Sequence, residues 1–119
     1  MTLQDCYAAM GGDYADAIRR LMKEERVCKY LGRFMEDTTW EGVEGAFASG
    51  DYPLAFRLTH TVKGVAGNLG FTALFLACSE LCETVRDGAP ETDVKPLLEK
   101  FLAENERTRG AIADFLAMS

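Results

Sequence analysis

One histidine, one tryptophan and three prolines are spread over 119 residues, and no Cys-x-x-Cys pair occurs among the four cysteines. This shortage weighs against zinc. A site would need Cys6, Cys28, Cys78 and Cys82 together, or three of them with His60, gathered from distant segments. The cysteines read as small buried hydrophobes, and no metal is expected. Long apolar runs are also missing. The longest, Leu69 to Cys78, is about half the length of a membrane span and is interrupted by Gly70 and Thr72. Met1-Thr2-Leu3-Gln4-Asp5 lacks the basic start and apolar run of a secretion signal, so a soluble cytoplasmic chain is expected. Basic residues are outnumbered, with 13 Lys+Arg against 19 Asp+Glu and a net charge of −6. Such a surface repels phosphate backbones and anionic lipid, so neither nucleic acid nor membrane is an expected partner.

Apolar residues make up 48% and charged residues 27%, a globular composition that suits one domain over residues 1–119. Strand-like alternation is almost absent, whereas apolar spacings of three and four recur throughout. After a loose start, Asp13 is expected to cap a short helix carrying Tyr14, Ala17, Ile18 and Leu21. A second helix runs from about Glu24 to Glu36. Thr38-Thr39-Trp40-Glu41 has capping-box spacing, where the chain restarts or bends before Ser49-Gly50-Asp51. Asp51 then caps a helix that tolerates Pro53 in its first turn and ends near Gly67 or Asn68. Phe71 to Asp87 forms the next helix, stopped by Gly88-Ala89-Pro90, and the last begins near Thr92 or Asp93 with Leu98, Phe101, Ile112 and Phe115 as its buried stripe. The pattern predicts an all-α protein. Its architecture is an antiparallel up-down four-helix bundle with an additional short N-terminal helix across one end.

The helix opened by Asp51 carries the chemistry. On a wheel with His60 at zero, Leu54, Leu58, Val62, Val65 and Leu69 fall between roughly 120° and 200° and form the expected core face. His60 therefore points outward with Pro53, Phe56, Arg57, Lys63, Gly64 and Gly67. Gly64 and Gly67 each cost about 1 kcal/mol relative to Ala inside a helix, and a missing side chain four residues after His60 leaves room beside the ring. Lys63, about 60° around, can set a positive charge near an anion on the imidazole. Phe56 and Arg57 offer apolar and cationic surface to a docking partner. A plainer reading is a surface histidine whose glycines only admit a neighbouring helix, and on these residues alone both readings stay open. Gly64-x-x-Gly67-x-x-Gly70 follows no strand and matches no nucleotide fingerprint, so no cofactor is expected. Glu24/Glu25 and Glu104/Glu106 belong on solvated faces, and no Ser/His/Asp arrangement stands out.

The stretch Leu58-Thr59-His60-Thr61-Val62-Lys63-Gly64-Val65-Ala66-Gly67-Asn68-Leu69-Gly70 resembles the signature of histidine phosphotransfer (HPt) domains, an HxxKG core followed by small residues and a turn glycine. Upstream, Leu31 to Phe34, Ala46 and Gly50-Asp51 fit the same pattern. So do Leu74, Leu81, Glu83 and Arg86-Asp87-Gly88 downstream, and the resemblance covers roughly residues 13 to 118. It implies a phosphorelay carrier that takes a phosphoryl group on His60 from a receiver-domain aspartate and passes it to another receiver. Lys63 would neutralise the phosphate and Gly64 would keep the ring accessible, with Phe56, Arg57 and Gly67 toward the docking partner. The implied partners are response-regulator receivers and a hybrid or sensor histidine kinase. Mg²⁺ is expected on the receiver, and the carrier is expected to be monomeric without kinase activity of its own. A phosphorylatable module of a larger sensor kinase and a non-catalytic helical interaction protein are the alternatives. A start at Met1 and the lack of a nucleotide motif favour the free-standing carrier.

Overall fold

Side-chain caps set the starts of three helices. The computed structural model describes residues 1–118, among which every regular element is helical. Helices α1 (Leu3–Met10), α2 (Tyr14–Leu21) and α3 (Glu24–Glu36) are followed by a 3₁₀ turn over Thr39–Gly42. Helices α4 (Val43–Ala48), α5 (Tyr52–Leu69), α6 (Thr72–Glu83) and α7 (Lys95–Ala117) complete the chain. Asp13 and Asp51 act as the expected N-caps, accepting the backbone N–H of Asp16 at 2.9 Å and of Leu54 at 3.2 Å. Gly70 ends α5 with φ 74°, a left-handed conformation that glycine adopts without a Cβ penalty.

Three boundaries differ from the sequence expectation. Thr38 caps nothing with its side chain. Instead, Asp37 Oδ1 accepts the Thr39 N–H at 2.8 Å and the chain tightens into the 3₁₀ turn. Helix α6 stops at Glu83 rather than Asp87, and the Thr84 hydroxyl donates to the Leu81 carbonyl at 2.7 Å as the chain turns. Helix α7 begins at Lys95, whose N–H donates to Asp93 Oδ1 at 3.0 Å, with Pro96 in its first turn.

The larger correction lies at the N-terminus, where the loose start expected from the sequence is helix α1. The Asp5 N–H donates to Thr2 Oγ1 at 3.1 Å and the Thr2 N–H to Asp5 Oδ2 at 2.9 Å, a reciprocal cap. Asp5 stands where that pattern usually has Glu or Gln. Leu3, Cys6, Tyr7 and Met10 are all buried, and the Tyr7 hydroxyl donates to the Leu69 carbonyl at 2.6 Å. The N-terminal addition is therefore two short helices rather than one.

The four long helices α3, α5, α6 and α7 form the helical bundle. Helix α5 packs on α6, α6 on α7 and α3 on α7, while α1 lies against α7 and α2 touches both α3 and α5. Leu31, Phe71, Leu74, Leu81, Phe101 and Ile112 are almost completely removed from water, which supplies the main favourable term for folding. No helix among the described residues is long and apolar enough to cross a membrane.

The burial of α1 generates a test. Tyr7→Ala should lower stability by about 3–5 kcal/mol, comparable with other buried aromatic truncations. Tyr7→Phe, which loses only the hydrogen bond, should cost about 1 kcal/mol. Urea unfolding followed by helical circular dichroism measures both, and an unchanged Tyr7→Ala midpoint would mean that α1 adds nothing to the bundle.

Candidate functional site

Small residues decide how α5 is turned. Its buried positions are Ala55, Thr59, Val62, Ala66 and Leu69, so the face against the bundle is rotated from the Leu54–Leu58–Val65 stripe that size alone favours. Leu54, Leu58 and Val65 are half-buried on the flank. A Cβ at Gly42 would stand 3.0 Å from Leu58 Cδ1, so this flank packs against the 3₁₀ turn. Thr59 satisfies its buried hydroxyl within α5 by donating to the Ala55 carbonyl at 2.8 Å. Helix α6 comes close enough for the Cys82 thiol to lie 3.9 Å from the Phe56 carbonyl oxygen.

His60 lies outside that contact and is exposed, as the helical wheel predicts. Among the described residues its one ring neighbour is Phe56, with centroids 5.6 Å apart and planes inclined by 40°. Neither imidazole nitrogen hydrogen-bonds to any group among the described residues. The ring is thus free to accept or release a group without breaking an internal bond.

A groove of about 430 Å³ opens beside the ring and brings together His60, Lys63, Gly64, Arg20, Asn68 and Phe75. The Lys63 ammonium lies over the Phe75 ring, 5.8 Å from its centroid. Asp16 also lines this groove, but its carboxylate pairs with Arg19 and accepts from Arg20 Nε at 2.9 Å. The charge left over in the groove is therefore cationic, which suits an anion on the imidazole.

The three glycines of the motif have three different reasons. A Cβ at Gly64 would meet nothing within 4 Å, so neither packing nor backbone conformation demands glycine there. A Cβ at Gly67 would stand 3.2 Å from Phe75 Cδ2 and 3.3 Å from Cε2, so this glycine seats an aromatic ring of α6. Gly67 is half-buried and lines the same groove as His60. At Gly70 the Cβ would come within 2.8 Å of the Asp13 carbonyl oxygen, where the start of α2 crosses the α5–α6 turn.

Of the expected docking residues, Arg57 is exposed, whereas Phe56 is half-buried against the core with the Arg86 guanidinium 5.6 Å from its ring centroid. Phe56 is therefore not the free outward side chain expected, because it packs against the core and Arg86, from the turn after α6, lies over its ring. Sequence reasoning missed Arg20, Asn68, Phe75 and Arg86. Asn68 lies within the motif but reads in the sequence only as a helix end, and the other three arrive from separate segments with no local signal. The four cysteines remain thiols, and burial pushes Cys78 up to about 12 and Cys6 up to about 11. Among the described residues no group of three or more His, Cys, Asp or Glu side chains is arranged to hold a metal ion.

The free space at Gly64 yields a direct stability test. Gly64→Ala should stabilise the protein by up to about 1 kcal/mol through helix propensity alone. Equilibrium unfolding checks this, and a loss of stability would reveal a hidden packing role for the glycine.

Residues 29–117 match the family model for the Hpt domain. The match begins in α3 and omits α1 and α2, so it is shorter at the N-terminus than the resemblance over 13 to 118. Comparison with curated proteins gave no match, and neither did comparison with solved structures.

Proposed function

The chain belongs to the Hpt domain family, whose members carry out histidine phosphotransfer in two-component signalling, and from that premise we propose that His60 is the phosphoryl carrier. The observation that supports this most directly is an exposed imidazole, free of hydrogen bonds, at the rim of a groove with surplus positive charge. In the proposed cycle the donor is an aspartyl phosphate on a receiver domain. A neutral His60 ring nitrogen attacks the phosphorus. The P–O bond to the aspartate breaks as the new P–N bond forms, and the carboxylate leaves with the electron pair. The same step in reverse passes the group to a second receiver.

Phosphoryl transfer asks mainly for in-line approach and charge stabilisation, and little covalent work from the carrier. The partner receiver is expected to supply Mg²⁺ and its acidic pocket. This chain contributes the ring, the Lys63 ammonium and the clearance at Gly64. With no acid or amide of its own on the ring, His60 lacks a built-in catalyst for hydrolysis, which favours a long-lived phosphohistidine.

The test uses a phosphorylated receiver domain with Mg²⁺ and compares wild type with His60→Gln for label that is acid-labile and base-stable. Label should appear on wild type alone; label on both proteins or on neither removes the carrier reading for that receiver. Gly64→Leu should cut the transfer rate by about 100-fold, as expected for loss of reacting geometry, with helicity retained. Lys63→Ala should slow transfer by about ten-fold, equivalent to roughly 1.4 kcal/mol of lost charge stabilisation. Stopped-flow or quench-flow transfer rates decide both, and a Gly64→Leu variant as fast as wild type would refute the clearance argument.

A further inference from the structure

Lys63 is the one cation of the HxxKG core, and among the described residues no carboxylate pairs with it. A long lysine side chain on a helix surface would ordinarily sample several rotamers or find an acid. Here its ammonium lies 5.8 Å from the centroid of the Phe75 ring, which belongs to α6, twelve residues further along the chain. The ring reaches that position because Gly67, one turn beyond Lys63, has no Cβ. An added Cβ would stand 3.2 and 3.3 Å from two ring carbons. The acid that shares the groove, Asp16, is occupied by Arg19 and Arg20.

We propose that Phe75 is a positioning residue for Lys63: its ring face, seated on Gly67, holds the ammonium in the His60 groove without neutralising it. The inference rests on the carrier reading and adds to it a residue outside the motif. The physical distinction is between two ways of holding a cation. A carboxylate would orient Lys63 but would compete with the phosphoryl group for the same charge. An aromatic face attracts the cation through its quadrupole and carries no formal charge, so the ammonium remains available to an incoming anion.

The reaction for the test is labelling of His60 by phosphoramidate, a small donor that needs no docking surface. The P–N bond of phosphoramidate breaks, ammonia leaves, and a new P–N bond forms to the imidazole. Phe75→Leu should slow labelling by about two- to five-fold, the scale of one exposed cation–π contact. Phe75→Trp, which keeps an aromatic face, should restore much of the rate. In a Lys63→Ala background Phe75→Leu should have no further effect, because the ring acts only through the lysine. Gly67→Ala should slow labelling in the same direction, because its Cβ would push against the Phe75 ring.

A structural readout stands beside the kinetics. In wild type, NMR should show the Lys63 side-chain methylene protons shifted upfield by the Phe75 ring current, and Phe75→Leu should remove that shift. Equal slowing by Phe75→Leu in the wild-type and Lys63→Ala backgrounds would overturn the proposal, as would unshifted Lys63 methylenes in wild type. A wild-type protein that takes no label from either phosphoramidate or a phosphorylated receiver would sink the carrier reading. The methylene shifts, measured on unlabelled protein, judge the Phe75–Lys63 placement separately.

Discussion

The close approach of α5 and α6 fixes the orientation of everything at the site. Along that contact α5 presents Ala55, Thr59, Val62 and Ala66, and α6 buries Leu74, Ala77, Cys78, Leu81 and Cys82. With small residues on the facing surfaces, the two backbones come near enough for the Cys82 thiol to approach the Phe56 carbonyl. At the other end the Phe75 ring is laid across Gly67. Since side chains in a tightly packed interior cannot be rotated without creating voids or clashes, the helix has little freedom to turn. His60 is held outward by what lies behind it.

The groove is a product of the same contact and of the N-terminal helices. Helix α5 supplies the imidazole and the lysine, α6 supplies the aromatic floor under the lysine, and α2 supplies Arg20 and the neutralised Asp16. The start of α2 is pinned where it crosses the α5–α6 turn, the Asp13 N–H donating to the Gly70 carbonyl at 2.8 Å. Helix α1 is fastened to the same turn by the Tyr7–Leu69 hydrogen bond. A segment outside the family match thus helps to build the wall of the site.

Much of this was legible from one strand of text. Asp13 and Asp51 announced their helices as caps, and the position of His60 relative to the large apolar residues placed it outside the core. Other features were legible only in part. The wheel weighted leucine and valine, so it found Val62 and Leu69 on the buried face but centred the stripe toward the flank of Leu54, Leu58 and Val65. Alanine and threonine carry little hydrophobic signal, yet they permit the nearest approach between helices and so became the buried face. Helix α1 escaped notice because its cap uses Asp5 in place of the more familiar glutamate and its stripe is only two turns long.

The sequence by itself determined the helical class, most helix starts, the outward direction of His60 and the presence of Lys63 and Gly64 beside it. These follow from periodicity and capping, which act within a turn or two of the residue concerned. Only the tertiary structure decided why Gly67 is glycine, where the lysine ammonium rests, and which arginine faces the histidine across the groove. Those depend on atoms brought together from α2, α5 and α6, and no spacing along a single helix encodes the distance between two helices.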